Sequence, residues 1–296
     1  MDTDGLLTFL TIHRRGGFSA AAGELNRSQP AISRRIALLE AELGAPVFER
    51  AASGVILSQV GQALLPHAER TLAALEDGRQ AVRALRGQDA GPLSLAAVGT
   101  LAGPTLTAVL KQFTAQAPNV ALSLTTATSS QVSDLVRRGE ATLGLRYFED
   151  RSPDLQHHAM AAEVLVVACA PEHPLAGRTV AGLADLRDEH WLAFPRRDAQ
   201  GEIAAESIAA QFLTRHIGDI RWTAVDSLTA QKRLVEAGFG ISLMPESSLA
   251  EERAAGALLT IAVRDLEAFN PVFAIHRRGG FLSGAAQTLL ALLQAA

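Results

Sequence analysis

Apolar positions in the first 86 residues recur at helical spacing. Leu6, Leu7, Phe9, Leu10 and Ile12 form one stripe, and Arg14-Arg15-Gly16-Gly17 stops it. Phe18-Ser19 then precedes Ala20, Ala21, Ala22 and Leu25. That order predicts a short second helix with Ser19 as N-cap and Phe18 as hydrophobic staple. A turn at Asn26-Arg27 leads into a third helix. At about 100° per residue its Ile32, Ile36, Leu39 and Leu43 fall within an arc of roughly 60°, which must face a core. Residues 46–57 carry apolar β-formers on both sides of a small, glycine-containing tip, the pattern of a short hairpin. From Ser58 to Leu85 a long helix is predicted. Its Leu64, Ala68, Leu75, Val82 and Leu85 sit on a seam of roughly 3.5 residues, weakened by Gly78; a coiled coil and an ordinary amphipathic helix both fit.

The pattern changes after 86–94, a Gly-Asp-Gly-Pro stretch with linker composition. Short apolar runs now alternate with helical segments. Residues 93–98, 120–126, 141–146, 164–170, 258–263 and 271–276 read as strands. Residues 103–117, 130–138, 202–216, 227–237 and 283–294 read as helices. Apolar strands separated by helices predict parallel α/β sheets, in one large domain or two lobes.

A length of 296 residues fits about two domains. The single cysteine, Cys169, lies in an apolar strand. It excludes an intramolecular disulfide and a cysteine-rich zinc site, and fits a reducing compartment. The N-terminus starts acidic without a basic-then-apolar leader, and the apolar runs are too short to span a bilayer, so a cytoplasmic location is expected. No cofactor or metal is expected: the eight histidines show no metal-ligand spacing, and His157-His158 and His173 read as loop residues. No acid–base pair or phosphate loop stands out, which argues against an enzyme.

The net charge of −4 hides an asymmetry. Residues 1–86 hold 10 arginines against 9 acids, whereas the remainder holds 17 basic residues against 22 acids. Arg14, Arg15, Arg27, Arg34 and Arg35 cluster around the third helix. The face of that helix opposite its apolar arc carries Pro30, Ser33, Arg34, Ala37 and Ala41, small residues around one arginine. Such a face lets a backbone approach closely, and the DNA major groove, about 12 Å wide, admits a helix. Arg34 could then reach guanine and Gln29 adenine. Arg35 lies to one side, suited to phosphate. Ser28 can cap the helix, Pro30 suits its first turn, and its N-terminal N–H groups suit a phosphate. The plainer reading is a solvated helix face.

A helix, a short helix, a tight turn, a long helix and a hairpin make a winged helix-turn-helix. Here "GGFSAAAGELNRSQPAISRRIALLEAELGAPVFER" followed by "GVILSQVG" closely resembles the N-terminal domain of LysR-type transcriptional regulators. "VVACAPEHPLAG", "VEAGFGISLMPES" and "AIHRRGGFLS" resemble the effector domain of that family, so the resemblance spans essentially the whole chain. It implies an all-α winged helix-turn-helix domain at 1–58, a linker and dimerisation helix with hinge at 59–89, and a two-lobed Rossmann-like α/β effector domain at 90–296. Lobe one would comprise about 90–161 and 268–296, and lobe two about 162–267. The implied partners are double-stranded DNA, a small-molecule effector, further copies of the chain in a homodimer or homotetramer, and RNA polymerase.

Carried over by position, the resemblance puts Gln29, Pro30, Ser33 and Arg34 at base edges. It puts Ser19, Ser28, Arg35 and Arg50 at phosphate or sugar. Ser53 stands where the wing often has arginine, Arg27 where the turn is commonly apolar, and Ser58-Gln59 where Thr-Glu or Thr-Pro is usual. Arg27 would add a phosphate contact. In the effector half, Thr100 and Leu101 follow the first strand at a turn. Thr128, Ser129 and Ser130 form a second such turn, a setting that attracts anions. Arg146 could meet a carboxylate bidentately, and Phe194, Pro195, Val225 and Asp226 face them from the other lobe. These features favour a small organic anion as effector. Plainer roles stand beside them: Ser129 and Ser130 as helix caps, Arg146 as a surface ion-pair residue. A solute-binding protein without a DNA-binding role is the alternative reading, but it has no use for the first 86 residues.

Overall fold

The computed structural model of the chain describes residues 1–51, 54–85, 91–194, 211–212, 214–218 and 220–296. Helix α1 (Thr3–Arg15) begins at Asp2, whose carboxylate accepts the Gly5 N–H at 2.7 Å, and ends at Gly16 in the left-handed region. Helix α2 (Phe18–Glu24) starts earlier than expected. Gly17 occupies the N-cap position without a side-chain bond, so Ser19 is not the cap but an exposed residue of the first turn. The staple is present in another form, with Phe18 packed edge-on against Phe48 at 5.9 Å. Asn26 turns the chain at φ 51°. Ser28 then caps α3 (Gln29–Leu43) by accepting from the Ala31 N–H at 3.4 Å.

Ile32, Ile36 and Leu39 are buried against Leu6, Phe9, Leu10, Ile12, Ala21 and Ala22. Leu43, expected in the same arc, is 37% exposed, because α3 ends at Gly44 and its last turn overhangs the core. Strands β1 (Phe48–Ala51) and β2 (Gly54–Leu57) pair antiparallel from Phe48↔Leu57 to Ala51↔Gly54, forming the expected hairpin. Helix α4 (Gln59–Leu85) follows, anchored by Ser58, which donates to the Pro46 carbonyl at 2.6 Å and accepts from Gly61 N–H at 3.0 Å. A Cβ at Gly61 would lie 2.1 Å from the Val47 carbonyl oxygen, so glycine is required where α4 crosses the hairpin base. The expected seam of α4 divides. Ala68 is buried in the N-terminal core, while Leu75, Val82 and Leu85 are exposed.

The effector half continues with β3 (Pro92–Val98), α5 (Pro104–Gln116), β4 (Ala121–Ala127), α6 (Ser129–Arg137), β5 (Leu143–Tyr147), β6 (Leu155–Ala159) and β7 (Glu163–Cys169). Strands β8 (Thr179–Val180), β9 (His190–Ala193) and β10 (Arg221–Ala224) precede α7 (Leu228–Glu236), β11 (Ser242–Pro245), α8 (Ala250–Ala254) and β12 (Leu259–Val263). The chain ends with β13 (Phe269–Asn270), β14 (Val272–Arg277) and α9 (Gly284–Gln294). One sheet has the order β4-β3-β5-β14-β6; a second has β11-β7-β12-β8, with β13 also on β7. The helix expected at 202–216 lies mostly outside the described residues.

The two five-stranded sheets are mixed rather than parallel, while β9 and β10 pair parallel in a two-stranded sheet of their own. Strand β3 runs parallel to β4 and β5, but β14 is antiparallel to β5 and β6, and β7 is antiparallel to β11, β12 and β13. A crossover helix returns the chain to the end of a sheet from which it left and so makes parallel neighbours. Strands β7 and β14 instead arrive directly from the other sheet and enter from the opposite end. The two passages lie side by side, with Phe269 opposite Val164 and Asn270 opposite Glu163. His157 and His158, expected in a loop, lie on β6, an edge strand whose polar sequence hides it from periodicity.

Helix α4 also packs on the first sheet's layer. Asp77 meets Arg277 at 2.5 Å, Glu69 lies 3.8 Å from Arg138, and Arg14 of α1 meets Glu140 at 2.8 Å. Gly139, at φ 71°, sits so close that a Cβ there would be 3.0 Å from the Ala73 Cβ.

Candidate nucleic-acid interface and interlobe cleft

Helix α3 presents Gln29, Pro30, Ala31, Arg34, Ala37, Leu38 and Ala41 to solvent, with Ser33 half-buried. Gln29 Nε2 lies 3.3 Å from Ser33 Oγ, so the two polar groups at the helix start are pre-ordered. The arginines around this face differ sharply. Arg27 donates to Asp4 at 2.7 Å; Arg35 reaches Asp2 at 2.9 Å and Asp4 at 2.8 Å. The Arg27 hydrogen bond, helped by both positive charges, holds the Asp4 carboxyl below its ordinary range against a small burial penalty. Arg15 is held by Glu24. These pairs tie α1 to its neighbours, and a phosphate contact by Arg27 or Arg35 would have to compete with Asp2 and Asp4. Arg34 is exposed and has no hydrogen-bond or ion-pair partner among the described residues. Arg50 lies on β1 opposite Val55; Ser53 falls outside the described residues.

In the effector half the expected residues gather at strand ends. Thr100 sits in a 3-10 turn after β3, and its hydroxyl lies 2.7 Å from the Tyr147 hydroxyl at the end of β5; Leu101 packs on the lobe-one core. Thr128, not Ser129 or Ser130, caps α6. It forms a capping box with Gln131, accepting from the Gln131 N–H at 3.4 Å while Gln131 Oε1 accepts the Thr128 N–H at 3.0 Å. Ser130 Oγ is 3.3 Å from Thr128 Oγ1, and Ser129 Oγ accepts the Tyr147 N–H at 3.3 Å.

Arg146 is buried and engaged inside lobe one. It meets Asp150 at 2.8 Å and Ser133 at 2.7 Å, so a ligand carboxylate would have to share it; it is an ion-pair residue, though not on the surface. Burial works against the Asp150 charge, but hydrogen bonds involving Ser133 and Ser152 and the Arg137 charge outweigh it and hold its carboxyl well below the usual range. From the other lobe, where β9 and β10 pair in a two-stranded sheet, Phe194 is exposed just past β9, the Val225 N–H donates to Ala193 at 2.8 Å, and exposed Asp226 precedes α7; Pro195 lies outside the described residues.

Sequence reasoning missed a further group. Glu163, at the start of β7, accepts hydrogen bonds from the Tyr147 hydroxyl on one carboxylate oxygen and from Ser247 at 2.9 Å on the other. Its partners come from opposite sides of the passage between sheets, and burial pushes its carboxyl up despite both bonds. The available signal was only a lone acid bounding an apolar run; the single tyrosine, Tyr147, lies 16 residues earlier and meets it only in the fold. Cys169 is buried in β7, and desolvation, with Glu189 adding to it, pushes its thiol up to about 11, which makes it inert.

A free arginine on a small-residue helix beside a hairpin suits a duplex, and paired sheets joined by two strands suit a ligand between them. Family comparisons decide the matter. Residues 3–62 match the bacterial regulatory helix-turn-helix protein model of the lysR family, and residues 86–296 match the LysR substrate binding domain. The chain belongs to the LysR family of transcriptional regulators. It is thus a DNA-binding regulator with an effector-binding domain, and not an enzyme. Relatives include the transcriptional regulator CbbR of Rhodospirillum rubrum, 31% identical over 97% of this chain and 94% of that one. The regulator TfdS of Cupriavidus pinatubonensis is 33% identical over 86% of this chain and 85% of its own. The LysR regulator CbnR has a TM-score of 0.69 at 27% identity over 100% of this chain and 99% of its own. CbnR has also been solved with its target DNA, at a TM-score of 0.67 and 28% identity over the same shares. LysR regulators bind DNA and small-molecule effectors and oligomerise. The DNA-binding domain removes the alternative of a solute-binding protein. Among the described residues, no helix of this regulator is long and apolar enough to cross a membrane.

Proposed function

We infer that this LysR regulator reads a specific duplex site through Gln29, Pro30, Ser33 and Arg34, and that a small organic anion bound between its lobes resets that reading. The observation that carries the first half is Arg34: it alone of Arg15, Arg27, Arg34 and Arg35 is exposed without an intramolecular partner among the described residues. Ser28 and the first N–H groups of α3 would position a phosphate, and the family likeness adds Ser19 and Arg50 as contacts to phosphate or sugar. For the second half, the anion would lie at the start of α6, where Thr128, Ser129 and Ser130 gather hydroxyls beside Thr100 and Leu101. Phe194, Val225 and Asp226 would face it from the other lobe.

The exposed α4 residues Ala74, Leu75, Gly78 and Val82 form an apolar face beside Arg79 and Arg83, which supports pairing of linker helices in a homodimer, and of dimers in a homotetramer. The working place is the cytoplasm, with DNA and RNA polymerase as partners. Two recognition helices in a dimer meet half-sites about one DNA turn, or a multiple of it, apart. An effector changes the assembly only if it binds one arrangement more tightly than another.

Footprinting on the DNA upstream of the protein's own gene, with and without a panel of small carboxylic acids, tests the reading. A protected pair of half-sites whose pattern changes with an acid is expected. Protection without sequence preference, or a response confined to compounds that lack a carboxylate, would refute it.

A further inference from the structure

The carboxylate of Glu163 stands between lobes and, among the described residues, has hydroxyl partners alone. One oxygen accepts from Tyr147, the other from Ser247 at 2.9 Å, and Tyr147 is within 2.7 Å of Thr100. No lysine, arginine or histidine lies in ion-pair contact with it among the described residues. An ionised carboxylate accepts about four hydrogen bonds, so two acceptor positions remain. Removing such a charge from water without a cation is costly, and the cost is relieved when a cation arrives. The chain Thr100–Tyr147–Glu163–Ser247 also connects the turn after β3 with the turn after β11, so whatever engages Glu163 touches both lobes.

We propose that Glu163 selects the effector by its amino group: the ligand is a zwitterionic amino acid whose ammonium pairs with the Glu163 carboxylate across the lobes. This rests on the effector reading above, which places the ligand's carboxylate at the start of α6. A simple dicarboxylate in the same cleft would bring a second negative charge toward Glu163 and find no cation there among the described residues to offset it. An ammonium group instead supplies three donors to a carboxylate with two open positions. Glu163 also lies on the strand that joins the sheets, so the same ion pair would favour one interlobe arrangement over another.

The experiment is calorimetric titration of the full-length chain with the standard α-amino acids. Each one that binds is followed by its 2-hydroxy acid, which replaces ammonium with hydroxyl, and its carboxamide, which removes the negative end. At least one amino acid is expected to bind, with its 2-hydroxy acid weaker by about 30-fold or more. E163Q should shrink that ratio to within about threefold; thermal unfolding checks that the variant is folded, and the wild-type comparison stands if it is not. A 2-hydroxy acid binding as tightly as its amino acid, an unchanged ratio in E163Q, or no binding by any amino acid would overturn the proposal. A carboxamide binding as tightly as the acid would instead remove the carboxylate-at-α6 reading while leaving the role of Glu163 in place.

Discussion

Replacing Arg34 by alanine separates base reading from scaffold electrostatics, because Arg34 and Arg27 sit in opposite situations on one short segment. Arg34 makes no intramolecular contact among the described residues, so Arg34→Ala should leave unfolding stability unchanged within about 0.5 kcal/mol. A bidentate arginine–guanine contact is worth about 1–3 kcal/mol of discrimination, so operator affinity should fall about 5- to 150-fold. Affinity for random duplex should fall by much less, since only one positive charge is lost. Arg27→Ala should behave differently. Its guanidinium is held at 2.7 Å by Asp4, whose other contact, Arg35 at 2.8 Å, survives the substitution. A phosphate would have to displace Asp4, so both affinities should change by less than about threefold and the salt slope by less than one contact's worth. Fluorescence anisotropy on operator and random duplexes at several salt concentrations, with thermal melts of each variant, measures all of this. Equal losses on both duplexes for Arg34→Ala would refute base reading by this residue. A full one-contact drop in salt slope for Arg27→Ala would show that Asp4 does not hold it back.

Three further outcomes follow from the packing. Asp150→Asn strips buried Arg146 of its anion, and Arg137 of its contact at 2.6 Å, and should cost about 3 kcal/mol, a midpoint fall of about 6–12 °C. Because the folded Asp150 carboxyl is held below its ordinary 3.8, its stabilisation is present above that pH and is lost on acidification below it. Denaturant titrations should accordingly show a shallower acid slope in the variant. Arg277→Ala removes the half-buried contact to Asp77 on α4 and should cost about 1–3 kcal/mol, seen in calorimetry as a single unfolding transition broadening or splitting between the two halves. With its thiol pushed up to about 11, Cys169 should hold roughly one thousandth of its sulfur as thiolate at pH 8. An aromatic disulfide reagent should therefore react only after denaturation.

The helical half was legible because a buried face repeats within a few turns. Ile32, Ile36 and Leu39 face the core as their spacing predicts, and Leu43 fails only because α3 outlasts the core it packs on. The strands β3, β4, β5, β7, β12 and β14 were legible as apolar runs, whereas β6, with the sequence LQHHA, was not, since an edge strand need bury only one face. Strand direction was illegible. Periodicity carries no sign, and the antiparallel course of β7 and β14 comes from where the chain enters each sheet. The site followed the same division. Ser28, Thr100 and Thr128 lie at element ends, which local chemistry marks. Glu163 acquires its meaning from Ser247, 84 residues away, and the restraint on Arg27 comes from Asp4, 23 residues earlier. Such pairings exist only once the chain has folded.

Helix α6 joins the two functional surfaces. Its first turn holds the proposed effector site, where Ser129 accepts from the Tyr147 N–H and Thr128 and Ser130 share hydroxyls. Its far end delivers Arg138 to Glu69 of α4, Gly139 against Ala73 of α4, and Glu140 to Arg14 of α1. Burial raises the Glu69 carboxyl even with Arg138 and Arg14 nearby, so this docking face is partly dry and its charges are poorly screened by water. Nine residues at 1.5 Å each make a rod of roughly 14 Å, stiff because its backbone bonds are internal. A displacement at the cleft end cannot be absorbed along such a rod. It must reappear at the contact with the linker helix, or break that contact. The spacing of two recognition helices depends on where α4 points. On the effector reading proposed above, the physical link from ligand to DNA would therefore run through the Arg138–Gly139–Glu140 turn rather than through the sheet itself.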